Sequence, residues 1–142
     1  MANASDTPEE RSINEFMRAV RQHDKVSAVS RNLGEFTVEI SLKAGTTLRV
    51  LMTNIYCIGE ADVREFLDND PRIDVIVTLS AWNLVSEDAA SYGREKRKGV
   101  FTWKEFFGAL NYKKYWLYED IPYGLDNKEL VAERRRRRSA WN

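Results

Sequence analysis

The sequence is poor in the residues on which most enzyme chemistry rests. It holds one cysteine, Cys57, and one histidine, His23. A lone cysteine forms no internal disulfide, and with a single histidine it cannot complete the ligand set of a structural zinc site. Cys57 follows an apolar run, so the expectation for it is a buried, inert thiol rather than a nucleophile. Only three prolines and seven glycines are present, and no phosphate loop, dinucleotide fingerprint, nucleophile elbow or metalloprotease helix appears among them. No apolar stretch approaches the roughly 20 residues of a membrane helix. The opening "MANASDTPEERS" has neither the basic start nor the apolar run of a secretory signal. These absences predict a cytoplasmic protein with no membrane partner, no metal and no cofactor.

Charge of one sign is also missing. The 22 basic side chains balance 22 acidic ones, so the molecule as a whole exerts no bulk pull on nucleic acid. The distribution is uneven. Before Arg11 stand three acids and no base, whereas "ERRRRR" (Glu133 to Arg138) holds five consecutive arginines. With 43% hydrophobic and 31% charged residues in 142, the chain has the composition of one globular domain able to bury a core without staples.

What is present reads as alternating helices and strands. In "TPEERSINEFMRAVRQ", Thr7 and Glu10 have capping-box spacing around Pro8. Ile13, Phe16, Met17 and Val20 then recur at helical intervals. "KVSAVS" is a weak strand, and "EFTVEISLK" a clear one: Phe36, Val38, Ile40 and Leu42 alternate with polar residues. After the turn "AGTT", the run "LRVLMTNIY" suits a strand covered on both faces. "GEADVREFLDNDP" predicts a second helix with Val63, Phe66 and Leu67 inward, and "IDVIVTLS" a central parallel strand. Ser86 caps a third helix that Gly99 ends, "VFT" follows as a short strand, and Thr102 with Glu105 opens a helix through "WKEFFGALNYKKYWL". Beyond the breakers Pro122 and Gly124, Asp126 and Glu129 cap a last helix leading into the arginines. The domain expectation is a flexible 1–7, a single α/β domain over 8–118, and a C-terminal helical segment with an arginine-rich tail over 119–142.

This order, α-β-β-β-α-β and then α-β-α, predicts an α/β fold with a mixed central sheet and helices on both faces. It resembles the restriction-endonuclease-like (PD-(D/E)xK) superfamily, and within it the Mrr-type branch. The likeness lies in the fourth strand "IDVIVTLSAWN", the helix starting near "SEDAASYG", and the final strand and helix "GVFTWKEFFGAL", and it covers roughly residues 8 to 111. The resemblance implies an acid near the start of the second strand and an acid-x-lysine on the third. The two acids would hold a magnesium ion and the lysine would activate water. The third strand instead reads Met52-Thr53-Asn54, so the active site is read as degenerate and the domain as non-catalytic. The rival reading is a divalent-metal-dependent nuclease with displaced acids, using Glu39 and Glu60 with Lys43 as the assisting base, and Glu15 as a further helper. Glu39 and Lys43 would lie about 13 Å apart by strand rise.

Three features remain to carry a function. Arg134, Arg135, Arg136, Arg137 and Arg138 can meet successive phosphates, though a helix would spread them around its circumference; the alternative is a solvated tail that aids solubility. Arg94, Lys96, Arg97 and Lys98 would add to that contact, or else complement the dipole at the end of the third helix. Tyr112, Tyr115, Trp116 and Tyr118 exceed what one helix can bury. They predict a protein-partner or homodimer surface, or a base-stacking platform. Asn54, Tyr56, Trp82 and Asn83 sit at strand ends expected to be neighbours, where they either line a polar pocket or cap the strands. The expected partners are therefore nucleic acid through the basic tail and protein through the aromatic segment; a third reading is a pure protein-interaction module that docks through the aromatic helix and makes no nucleic-acid contact.

Overall fold

A computed structural model describes residues 6–119 and 126–141, without the side chains of residues 138, 140 and 141. The breakers Pro122 and Gly124, the aromatic Tyr123, and the side chains of Arg138 and Trp141 lie outside that description. The elements run α1 (Glu10–Arg21), β1 (Val26–Ser30), β2 (Thr37–Leu42), β3 (Thr47–Thr53), β4 (Cys57–Ile58), α2 (Glu60–Asn69), β5 (Val75–Thr78), β6 (Leu84–Val85), α3 (Glu87–Glu95), β7 (Gly99–Thr102), α4 (Trp103–Ala109) and α5 (Asn127–Trp141), with a 3-10 turn at Tyr115–Leu117 before α5.

Five strands form one mixed sheet in the order β1-β2-β3-β5-β7. The first three pair antiparallel, as the short turns between them dictate. The strands β3 and β5 pair parallel, with Val50 opposite Val75, and β5 and β7 likewise, with Val75 opposite Gly99. Every residue of β5 is buried, which is what a β-branched run in the middle of a sheet requires. Its alternation divides the core. Val75 and Val77 point to a cluster with Ile13, Phe16 and Val20 of α1, Phe106 and Ala109 of α4, and Val38, Ile40 and Val50 of the sheet. Ile76 points the other way, to a cluster with Val63 of α2, Ala89 of α3, Ile58 and Val100. Phe16 is the hub of the first cluster; its ring meets Trp103 edge-on at 5.2 Å and Phe106 at 5.9 Å.

The structure departs from the sequence expectations at four places. The helix α1 begins at Glu10 with Glu9 as its N-cap and no side-chain cap. Glu10 does not reach back to Thr7, because both its oxygens accept from Arg31 at 2.9 Å, fastening α1 to the loop after β1. Second, α4 stops at Ala109 instead of running through "NYKKYWL". Its last turn presents Gly108 to the Tyr118 ring, which stands where any larger side chain would be. Third, two short strands escaped the sequence reading: β4 and β6 form a separate parallel ribbon, Cys57 opposite Leu84 and Ile58 opposite Val85. Fourth, Cys57 is exposed, because in that ribbon Ile58 takes the inward position and successive side chains alternate.

The end of α3 shows how closely its packing is set. Lys98 N donates to Gly93 O at 2.7 Å and Arg97 N to Arg94 O at 3.0 Å, the paired bonds of a Schellman motif. That motif puts Arg97 at φ 59, a left-handed conformation that costs a residue with a Cβ about 1–2 kcal/mol. One turn earlier, a Cβ on Gly93 would meet Lys98 O and Val100 Cγ2 at 2.8 Å. Arg97→Gly is therefore expected to stabilise the fold by about 0.5 kcal/mol once the greater freedom of unfolded glycine is subtracted. Gly93→Ala should destabilise it by about 1–3 kcal/mol through overpacking. Urea unfolding of the two variants beside the parent measures both, and opposite signs are required.

Candidate functional site

The position at which the resemblance calls for charged catalytic groups lies at the carboxyl ends of β3 and β5, where open α/β sheets bind their ligands. Met52 there is 1% exposed and belongs to the apolar cluster under α1 and α4, so its side chain faces the core and not a cleft. Asn54, just past β3, is tied into a neutral network. Its Oδ1 accepts from Ser80 Oγ and from Asn83 Nδ2 at 3.1 Å. Asn83 Nδ2 also donates to Thr78 Oγ1 at 2.8 Å, and Thr78 Oγ1 donates to Ile55 O at 2.9 Å. Asn83 and Thr78 are buried, and their hydrogen bonds offset the cost of placing polar groups there. Of the alternatives left by the sequence, Asn54 and Asn83 join the strand ends together, whereas Tyr56 and Trp82 stay exposed. Two neutral amides and two hydroxyls, bonded to one another through Asn54 Oδ1 and Thr78 Oγ1, do not fit a magnesium ion, which asks for anionic oxygens.

The displaced acids do not gather elsewhere. Glu39 is exposed on β2 and faces Arg49, Oε1 to Nη1 at 3.7 Å. Arg49 in turn holds Asp70 at 2.7 Å, and Asp70 also accepts from Arg72 at 3.1 Å. Burial pushes the Asp70 carboxyl up, but its bonds from Arg49 and Arg72 outweigh this and leave it below the usual range. Lys43 is exposed in the turn after β2. Glu60 opens α2 and pairs with Arg64 at 2.9 Å, and Glu15 pairs with Arg11 at 3.3 Å. Among the described residues, no group of three His, Cys, Asp or Glu side chains is placed to hold a metal ion.

The basic residues behave differently, because two segments distant in sequence meet. Arg94 Nη1 on α3 pairs with Glu119 Oε1 at 3.2 Å, while Arg137 on α5 donates to the Glu119 carbonyl. Arg137 Nε also donates to Glu133 at 2.6 Å, and Arg136 is bonded to the same carboxylate. Glu119 and Glu133 thus bind Arg94, Arg136 and Arg137 into one cluster joining α3 to α5. The expectation of a solvated arginine tail fails at Arg137, whose residue exposure is 7%: its guanidinium docks α5 onto the domain. Arg134 and Arg135 are exposed on the same helix. At the end of α3, Lys96 lies 5.6 Å from the Tyr92 ring centre and Lys98 Nζ donates to Pro71 O at 3.3 Å. Arg97 is exposed.

The aromatic segment turns inward. Tyr112, Tyr115, Trp116 and Tyr118 are each half-buried. Tyr118 packs edge-on against Phe101 at 6.4 Å and lies 5.7 Å from Tyr112. Burial, assisted by the Asp74 charge, pushes the Tyr115 hydroxyl above its ordinary range. Trp116 and Tyr118 line a cleft of about 390 Å³ with Val85, Arg94, Phe101 and Glu119. Most of the surplus ring area therefore serves the fold around α4, where the sequence reading placed a partner surface. Among the described residues, the most exposed rings are Tyr56 and Trp82, beside β4 and β6; the run of turn residues around them was the signal available for placing them.

Fold and site together define an α/β domain with a mixed five-stranded sheet, a neutral network at the carboxyl strand ends, and a basic cluster at the junction of α3 and α5. No family model matches the chain, and neither a curated protein nor a solved structure does. Among the described residues, no helix is long and apolar enough to cross a membrane.

The arginine cluster carries a pH signature. Hydrogen bonds from Arg136 and Arg137 hold the Glu133 carboxyl at about 2, against an ordinary 4.5. The folded value is the lower one, so the contribution of this group to α5, through Arg136 and Arg137 on the same helix, is complete above the ordinary value. It is lost as pH falls from about 4.5 to about 2. A carboxyl NMR titration should place the Glu133 midpoint well below those of unpaired glutamates. Glu133→Gln should speed amide exchange in α5 at neutral pH while leaving β5 protected.

Proposed function

We propose that this chain is a non-catalytic domain of nuclease-like build that associates with nucleic acid through the basic junction of α3 and α5. The observation that carries the reading is the meeting of Arg94 with Arg136 and Arg137 around Glu119 and Glu133. It sets the exposed Arg134 and Arg135 on a docked helix rather than on a loose tail. Rigid placement reduces the entropy lost when guanidinium groups meet phosphates, and guanidiniums suit phosphate geometry. The loss of catalysis is supported by Met52, which occupies a core position, and by Asn54, whose oxygen is already engaged. The element order α-β-β-β-α-β is consistent with the nuclease-like likeness.

The contact is sequence-independent, since nothing in the cluster offers a constellation for reading base edges. Two or three phosphate contacts would give a slope of about −2 to −3 in log affinity against log salt, at about −0.9 per contact on duplex DNA. Salt-titrated binding of a duplex oligonucleotide by fluorescence anisotropy should show that slope. Arg134→Glu combined with Arg135→Glu should reduce the slope and the affinity without moving the melting temperature, because both side chains are exposed. Unchanged binding in that variant would remove the proposal. With magnesium or manganese the same preparation should leave duplex and single-stranded DNA intact; cleavage lost in Glu39→Ala would instead establish the rival nuclease.

A further inference from the structure

The ribbon of β4 and β6 concentrates the apolar surface that the fold leaves open. Six large hydrophobic side chains are exposed among the described residues, and three of them, Tyr56 at 64%, Trp82 at 72% and Leu84 at 53%, lie in or beside this ribbon. Leu84 N donates to Tyr56 O at 2.7 Å, and Leu84 stands opposite Cys57, which is also exposed. The parallel register places Cys57 and Leu84 on one side of the ribbon, and Trp82 is exposed in the turn that leads into β6. Single exposed apolar residues need no explanation, but a contiguous group around a tryptophan marks an interaction surface.

Its rim is mainly acidic. The ribbon strands run directly into α2 and α3, so the first turns of those helices flank it, and both are acidic: Glu60 and Asp62 on one side, Glu87 and Asp88 on the other. Arg64 engages Glu60, and Asp62 caps its own helix by accepting from Gly59 N. Glu87 and Asp88 are exposed and lie at the far end of α3 from Arg94, Lys96, Arg97 and Lys98. An acidic rim repels phosphates and attracts cations.

We infer that the β4–β6 ribbon is a docking site for a protein partner's cationic peptide segment, with an apolar side chain seated on Trp82 and Leu84 and basic side chains facing Glu87 and Asp88. Glu87 and Val85 line one cleft with Arg94 and Glu119, so this surface adjoins the arginine cluster, although neither assignment depends on the other. Cys57 reports occupancy directly, since it is the only cysteine in the chain: a segment lying on the ribbon shields it from alkylation. The test is the rate of iodoacetamide modification of the full chain, with a short labelled peptide alternating lysine and leucine and a twin carrying glutamate for lysine.

The lysine peptide is expected to bind and to slow Cys57 alkylation, and the glutamate twin to do neither. Glu87→Lys with Asp88→Lys should weaken lysine-peptide binding about tenfold, as expected for two rim pairs of somewhat under 1 kcal/mol each. Trp82→Ala should abolish the protection. Four results would overturn the inference: equal protection by both peptides, protection by neither, protection by single-stranded DNA of matched length, or protection that grows with protein concentration alone. The last would assign the face to a second copy of the chain. The comparison of the two peptides uses the unaltered protein, so it stands even if a variant folds poorly.

Discussion

The parallel pairing of β3 with β5 is the constraint on which the rest of the molecule depends. It places the four residues of β5 in the middle of the sheet with every side chain buried. Each of Val75, Ile76 and Val77 contributes about 1.5–3 kcal/mol through removal of apolar surface from water. Because the side chains alternate, the same strand supplies both cores, and neither helix layer could be lost without uncovering half of it. The pairing is locked at its start, where Arg49 N donates to Asp74 Oδ2 at 2.9 Å and Asp74 N to Arg49 O at 2.8 Å. It is closed at its other end by Thr53, Thr78 and Asn83.

The two ends of that sheet differ in chemistry. At the carboxyl ends of β3 and β5 stand neutral amides and hydroxyls, exposed rings, and the acidic first turns of α2 and α3. At the amino end stand ion pairs, Arg49 and Arg72 with Asp70, and near them the basic close of α3, whose Lys98 reaches Pro71 O. Acids at helix beginnings and bases at helix ends each favour their own helix dipole by about 0.3–1 kcal/mol. Of α2 and α3, only α3 carries both, with Glu87 and Asp88 in its first turn and Arg94 in its last; α2 has no base in its last turn.

Wherever a regular period met a buried face, the fold was legible. The apolar spacing of α1, the alternation at Val38 and Ile40, and the β-branched run of β5 each state a geometry and a burial at once. Less visible were features decided by contacts across the chain. Glu10 has the spacing to cap its own helix, and nothing near it in sequence announces that Arg31 will claim it. Gly108 reads as a tolerated helical glycine until Tyr118 folds back upon it. The ribbon of β4 and β6 consists of two two-residue strands, too short for any period to show. The candidate site divides the same way. That Met52 and Asn54 are uncharged is plain in the sequence, but the partition of the arginines is not. A run of identical residues carries no sign of which one will be buried.

The order of the strands also bears on how the chain reaches its native state. The first three strands are joined by hairpins, whose closure is local and takes microseconds. The parallel pairs must each wait for a helix-bearing crossover to return, and loop closure has to be met in entropy before those contacts repay it. The antiparallel half is thus the natural template, and β5 and β7 join it in turn, each with a helix in tow. Until β5 arrives, β3 is an uncovered edge rich in Val, Leu and Met, the state in which two copies of such a chain would stick to one another. Slow arrival of β5 is therefore the step at which this protein is most exposed to aggregation.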